Sequence, residues 1–84
     1  MKLYHNIKNV RFTGNHLILD IDGQEQAFDL KAISQALLHA SEIERTTFEI
    51  SPSGYGIHWP LIDEDISIDG LLGITHSANF AFSS

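Results

Sequence analysis

Apolar and polar residues alternate through the first third of the chain, which is the pattern of half-buried β-strands. The first alternating run covers residues 6–12 and the second covers residues 16–22. An Asp-Gly pair, Asp22-Gly23, follows the second run. This pair is favoured in two-residue hairpin turns, in which both central residues take positive φ. We therefore predict two strands and then a hairpin into a third strand over residues 24–28.

The period of the pattern becomes helical after this hairpin. Leu30, Ile33 and Leu37 recur at spacings of three and four, and no glycine or proline interrupts residues 30–40. Asp29 precedes them at the N-cap position, where its carboxylate can accept from free backbone N–H groups of the first turn. The segment predicts one main amphipathic helix.

β-Branched and aromatic residues return in the second half of the chain, over residues 46–51, and alternation resumes over residues 55–59. Pro60 cannot donate a hydrogen bond to a sheet, so we expect the second of these strands to end before it. Further on, Ser67 can cap a short helical turn over residues 68–72. These features predict a second hairpin and a C-terminal helical turn.

Together the elements predict an α+β fold, with a small antiparallel sheet from two hairpins packed on one main helix. A chain of 84 residues has room for one domain, which we assign to residues 1–73. The tail, residues 74–84, has no charged residue but contains Phe80 and Phe82. We leave three alternatives open for it: an added strand, an interface segment or a disordered end.

Charge is distributed unevenly along the chain. Eleven acidic and five basic residues give a net charge of −6, yet residues 46–84 hold five of the acids and neither lysine nor arginine. The negative net charge argues against binding to nucleic acid or to an anionic membrane surface. It favours a basic protein as the partner, because complementary charge speeds encounter.

The N-terminal residues and the cysteine content bear on location. The chain has no cysteine, its first ten residues are largely polar, and no apolar run approaches membrane-spanning length. These features predict a cytoplasmic protein.

Carboxylates cluster at Asp63-Glu64-Asp65 and again at Asp69. Their spacing does not match an EF-hand loop, so we interpret them as an acidic loop that faces solvent or a partner. His58 lies just before this run. We interpret Trp59 first as a core residue and second as a candidate for contact with a partner.

No pair of histidines has the i, i+4 spacing of a helical zinc site, and no nucleophile motif is present. We assign no catalytic, cofactor-binding or metal-binding residue; the partner-contact candidates are His58, Trp59, Asp63, Glu64, Asp65 and Asp69.

A series of short motifs over about residues 7–73 gives the chain a family resemblance. In order they are Asp22-Gly23, Phe28-Asp29-Leu30, Phe48-Glu49-Ile50, Gly54-Tyr55-Gly56-Ile57-His58-Trp59-Pro60, Ile62-Asp63-Glu64-Asp65-Ile66-Ser67 and Gly70-Leu71-Leu72. This order resembles the small bacterial domain-of-unknown-function family 2442, and the Trp-Pro step before an acidic run is its most specific part.

The resemblance implies a bacterial protein with no established biochemical activity. Members of the family occur alone or ahead of a helix-turn-helix domain. They are often encoded beside another small uncharacterised protein in a toxin–antitoxin-like arrangement. Only about a dozen residues follow Gly73, so we expect no helix-turn-helix and no DNA binding by this chain.

Two hypotheses of function follow from these observations. The first is a non-catalytic protein-interaction module, in its specific form the neutralising partner of a toxin–antitoxin-like pair. The alternative is a small-ligand or metal-binding sensor built on His58, the Trp59-Pro60 edge and the carboxylates. We do not expect an enzyme, because no acid and base stand at a spacing that the sequence can justify. A homodimer, formed through an open sheet edge or the tail, fits either hypothesis.

Overall fold

The computed structural model describes residues 5–73, which form two three-stranded antiparallel sheets and four short helices. The predicted α+β fold is confirmed. The predicted tail, residues 74–84, lies outside the described residues. In chain order the elements are β1 (Ile7–Thr13), β2 (His16–Ile21), β3 (Gln24–Asp29), α1 (Leu30–Ile33), α2 (Gln35–Leu38), α3 (Glu42–Thr46), β4 (Glu49–Ile50), β5 (Gly56–Trp59), β6 (Glu64–Ser67) and α4 (residues 68–73).

The first sheet has the strand order β1-β2-β3 and follows the alternating pattern of the sequence. Leu17 of β2 lies opposite Phe28 of β3, and both side chains are buried. The hairpin between these strands turns at Asp22 and Gly23, whose φ values are +53° and +88°. Positive φ at both positions is the geometry that an Asp-Gly hairpin turn requires.

The helix predicted over residues 30–40 is interrupted at Ser34, which has φ −164° and ψ 110°. The Ser34 hydroxyl accepts a hydrogen bond from the Leu37 backbone N–H at 3.0 Å and donates one to the Glu64 carboxylate. The serine therefore ends α1, begins α2 as its N-cap, and links the helices to β6. The apolar residues therefore keep their helical spacing in α1 and α2, although the helix is broken between them. The buried hydrogen bond from the Leu37 N–H to the Ser34 hydroxyl stabilises this break.

A third helix, α3, spans Glu42–Thr46, where the sequence patterns predicted no helix. Ser41 and Glu44 make a reciprocal capping box, in which each side chain accepts from the other residue's backbone N–H. This pattern satisfies two of the free donors at the helix start. Because α3 extends to Thr46, the strand predicted over residues 46–51 is reduced to the two residues of β4.

The core is shared by both sheets and by the helices. Trp59 of β5 is fully buried, with its ring centroid 6.3 Å from that of Phe12 and 6.1 Å from that of Phe48. Aromatic pairs at these separations stabilise beyond their buried area. The buried hydrophobic residues are Leu17, Leu19, Ile21, Phe28, Leu30, Leu37, Ile57, Trp59, Ile68 and Leu71.

The last helix, α4, begins as the sequence predicted. Ser67 accepts a hydrogen bond from the Gly70 backbone N–H at 2.9 Å, so it caps the helix N-terminus. Within residues 5–73, no helix is both long enough and apolar enough to cross a membrane.

Candidate functional site

The outer face of the second sheet carries three polar side chains in a row across its strands. His58 of β5 pairs with Glu49 of β4 on one side and with Asp65 of β6 on the other. Successive side chains in a strand point to opposite faces, so His58 faces outward while its neighbours Ile57 and Trp59 are buried. We name Glu49, His58 and Asp65 the acidic row.

Within the acidic row, His58 and Asp65 are joined by a hydrogen bond. The distance from His58 Nδ1 to Asp65 Oδ1 is 2.7 Å. An ionised carboxylate can only accept, so Nδ1 carries the proton and Nε2 of a neutral ring remains an acceptor. The two side chains are 40% and 77% exposed, which limits what this contact adds to folding stability. Its effect is to orient the imidazole.

A groove of about 450 Å³ lies over this face of the sheet. Gly56 lines the groove between Tyr55 and Ile57, and a Cβ at this position would lie 3.0 Å from the Ile66 carbonyl oxygen of the neighbouring strand. Tyr55, which also lines the groove, is 57% exposed, so much of its surface is open to a partner. The groove thus places apolar walls beside carboxylates; its lining residues are Glu49, Ile50, Ser51, Pro52, Tyr55, Gly56, Ile57, His58, Asp65, Ile66 and Ser67.

Among the described residues that line the groove, His58 is the basic one, and none is a lysine or arginine. After Arg45 the sequence holds neither lysine nor arginine. Among residues 5–73, neither Glu49 nor Asp65 pairs with a lysine or arginine; by contrast, Glu25 of the first sheet pairs with Arg11 at 2.5 Å. Within residues 5–73, no lysine or arginine therefore balances the carboxylates of the acidic row, and Asp65 is hydrogen-bonded to His58.

The acidic run predicted as a loop is largely a strand, and this is a correction to the sequence interpretation. Glu64 and Asp65 belong to β6, because they pair with Trp59 and His58 of β5. Only Asp63 lies in the turn, with φ +52°. Alternation along β6 then separates its two carboxylates: Asp65 faces the groove, whereas Glu64 faces inward, where it accepts from the Ser34 hydroxyl.

Two other predicted contact residues also lie away from the groove. Trp59 is 0% exposed and its indole N–H is bonded within the chain, so the contact role given to it in second place is corrected to a structural one. Asp69 belongs to α4 and accepts from His5 Nε2 at 3.0 Å. Of the six candidates, the structure brings His58 and Asp65 together in the groove.

Glu49 is not among the contact residues predicted from the sequence. Its place in the acidic row depends on the register of β4 against β5, in which Glu49 lies opposite His58. Alternation around Phe48 and Ile50 shows only that Glu49 faces away from them. The part of the chain that the structure describes contains no group of three or more histidine, aspartate or glutamate side chains arranged to hold a metal ion.

A family model described as "Protein of unknown function (DUF2442)" matches residues 7–77. The chain belongs to this family. The match confirms the resemblance carried by the sequence motifs. The DUF2442 chain is also similar to a crystal structure of a protein of unknown function from Rhodospirillum rubrum. The TM-score is 0.66 and the identity 29%, with 82% of this chain and 86% of that chain covered. No curated protein matches.

Proposed function

We propose that this protein is a non-catalytic protein-interaction module that binds a basic segment of a partner protein in the groove over its second sheet. The observation that carries the proposal is the acidic row, in which two carboxylates flank an oriented imidazole and no lysine or arginine of residues 5–73 pairs with them. Negative charge of this kind attracts a partner of opposite sign and fixes its orientation.

The walls of the groove suit the side chains of such a segment. Arginine and lysine combine an apolar stem with a cationic head. Here Pro52 and Tyr55 offer apolar surface to the stem, and Glu49 and Asp65 can accept hydrogen bonds from the head. The tyrosine ring adds a face over which a cation can lie.

In its specific form, the proposal makes this protein the acidic, neutralising half of a small two-protein system. The five acids and absent bases of residues 46–84 support this form. The gene arrangement implied by the family resemblance supports it as well. The partner is then the product of the adjacent gene.

Co-purification with the adjacent gene product tests the proposal, followed by titration at low and high salt. We expect a complex that forms at low salt and weakens as salt screens the charges. The double variant Glu49→Gln with Asp65→Asn should weaken binding about tenfold or more, since charges buried on binding lose their partners. The absence of a complex at low salt would overturn the proposal.

A matched control distinguishes the effect of the acidic row on binding from the effect of net charge. The double variant Glu25→Gln with Glu42→Gln also removes two negative charges, but from exposed positions outside the groove. If both double variants weaken the complex equally, the partner responds to overall charge and the groove is not its site.

The volume of the groove also favours a second candidate, a small-ligand sensor. Sites for small molecules commonly enclose about 300–1,000 Å³, and this groove falls in that range. A thermal-shift panel of metabolites and divalent cations tests it, because a ligand that binds only the native state raises the melting temperature. A panel without any shift would remove this candidate, including its metal-binding form.

A cytoplasmic location and a homodimer also stand as proposals. Both described sheets leave strand edges, at β1 and β3 in the first and at β4 and β6 in the second. An open edge can pair with a second copy of the chain. A monomeric mass by light scattering would exclude the homodimer.

A further inference from the structure

His5 connects three parts of the molecule that are distant in sequence. Its ring donates through Nδ1 to Asp22 Oδ2 at 2.8 Å and through Nε2 to Asp69 Oδ1 at 3.0 Å. Its backbone N–H donates to the Ser53 carbonyl at 2.9 Å. The side chain is only 5% exposed. His5 therefore contacts the β2–β3 turn, the turn before β5 and helix α4.

The two ring contacts set the protonation state of His5. Ionised carboxylates have no proton to donate, so both ring nitrogens must carry one, and the imidazole must be cationic. A neutral ring has a single N–H and can satisfy one of the two carboxylates. Hydrogen bonds from the ring to Asp22 and then to Asp69 raise the pKa of His5 above its ordinary value of 6.5, although burial acts in the opposite direction.

We propose that His5 is a protonation-dependent clasp, which holds the β2–β3 turn through Asp22 and helix α4 through Asp69 when its ring is charged, and which loses one of these two contacts when the ring is neutral. Among residues 5–73, the titratable groups bonded to the ring are Asp22 and Asp69. The turn of residues 51–54 contributes none, since it consists of serine, proline and glycine.

Loss of the Asp69 contact has the larger structural consequence. Asp22 also accepts from the Asn6 backbone N–H at 2.9 Å, so its position near β1 has support that does not depend on the ring. The Asp69 contact joins residues 64 positions apart. A neutral ring that keeps Asp22 therefore releases α4 from the N-terminal end of β1.

His5 also reaches the wall of the groove, through its backbone. Ser51 and Pro52 line the groove, and the same turn accepts the His5 backbone N–H at Ser53. This backbone hydrogen bond does not depend on the charge of the ring, so the turn keeps it when the clasp opens. The clasp itself rests on the contacts of His5 and stands whether or not a basic partner binds.

The pH dependence of the clasp follows from the raised pKa. A group whose pKa is higher in the folded state contributes stability that is fully present below its unfolded value, about 6.5 for histidine. This contribution is lost as pH rises through the folded-state pKa. Each unit by which the pKa is raised corresponds to about a tenfold change in the unfolding equilibrium constant.

NMR of the ring nitrogens in the unaltered protein tests the clasp without any variant. At pH 6 we expect both Nδ1 and Nε2 of His5 to carry protons, and the titration midpoint to lie above 6.5. Asp69→Asn should lower that midpoint, because it removes one of the two carboxylates. A single protonated nitrogen at pH 6, or a midpoint at or below 6.5, would overturn the proposal.

Unfolding in urea at pH 6 and pH 9 provides a second readout. Between these values the unfolding constant of the native protein should rise more than that of His5→Gln, whose side chain does not titrate. Equal changes in the two proteins would show that His5 is a buried polar residue without a role in pH response.

Discussion

The indole N–H of Trp59 donates a hydrogen bond to the backbone carbonyl of Arg45, with 2.9 Å between nitrogen and oxygen. The guanidinium of the same arginine donates to the backbone carbonyls of Leu37, Leu38 and Gly14 at 2.9–3.0 Å. Arg45 thus satisfies carbonyls at the end of α2 and in the β1–β2 turn while its own carbonyl receives the buried tryptophan. One residue connects the core of the second sheet to the helices and to the first sheet.

Arg45→Lys should destabilise the protein by about 2–3 kcal/mol, because an ammonium group cannot reproduce three donors in a planar fork. The guanidinium carbon also lies 5.3 Å from the Phe12 ring centroid, a contact that favours arginine. Arg11→Lys is the matched control, since its side chain is 44% exposed and pairs on the surface with Glu25. We expect the control to cost less than about 1 kcal/mol in urea unfolding. Equal costs would contradict the role assigned to Arg45.

Trp59→Phe should cost about 2–3 kcal/mol of unfolding free energy. The variant keeps an aromatic ring against Phe12 and Phe48, but it removes the donor to Arg45 and leaves a smaller side chain in a fully buried position. Urea unfolding measures the loss. Tyr55→Phe, an exposed aromatic change in the same strand region, should alter stability by less than about 0.5 kcal/mol. An unchanged free energy of unfolding for Trp59→Phe would show that the indole hydrogen bond does not stabilise the fold.

Gly54→Ala should destabilise far more than Gly14→Ala, although both glycines have positive φ, +69° and +56°. A Cβ at Gly54 would lie 1.7 Å from the His5 carbonyl oxygen, whereas a Cβ at Gly14 meets nothing within 4 Å. The Gly14 variant therefore carries only backbone strain, about 1–2 kcal/mol. The Gly54 variant must also displace the His5 backbone, for a total of about 3 kcal/mol or more. Similar melting temperatures for the two variants would argue against the close approach of these segments.

Sequence patterns predicted the local features of this fold because their causes are local. Asp22-Gly23 forms the expected turn, and Ser67 caps the expected helix. The capping box of α3 is also a local signal, Ser41 with Glu44 three residues later, and it could have been read from the sequence.

Features that depend on distant partners could not be predicted in this way. The break at Ser34 relies on Glu64, 30 positions away, and the pairing of β6 places the acidic run in a strand. Alternation indicates which side chains share a face, but it does not show which strands become neighbours. The acidic row, which joins Glu49 to His58 and Asp65, is a product of that register.

Ser34→Ala tests the most consequential of these distant contacts. It removes the N-cap of α2 and the donor to Glu64. The Leu37 N–H then loses its acceptor, and the inward-facing Glu64 carboxylate loses the hydrogen bond that it accepts. We expect a loss of about 2 kcal/mol in urea unfolding, at the upper end for a cap because Ser34 is buried. Ser41→Ala removes the cap of α3 from an exposed position and should cost about 1 kcal/mol or less. Because alanine favours helix, Ser34→Ala also allows α1 and α2 to merge. Increased helical circular dichroism with unchanged stability would show that the hydroxyl maintains the break without stabilising the fold.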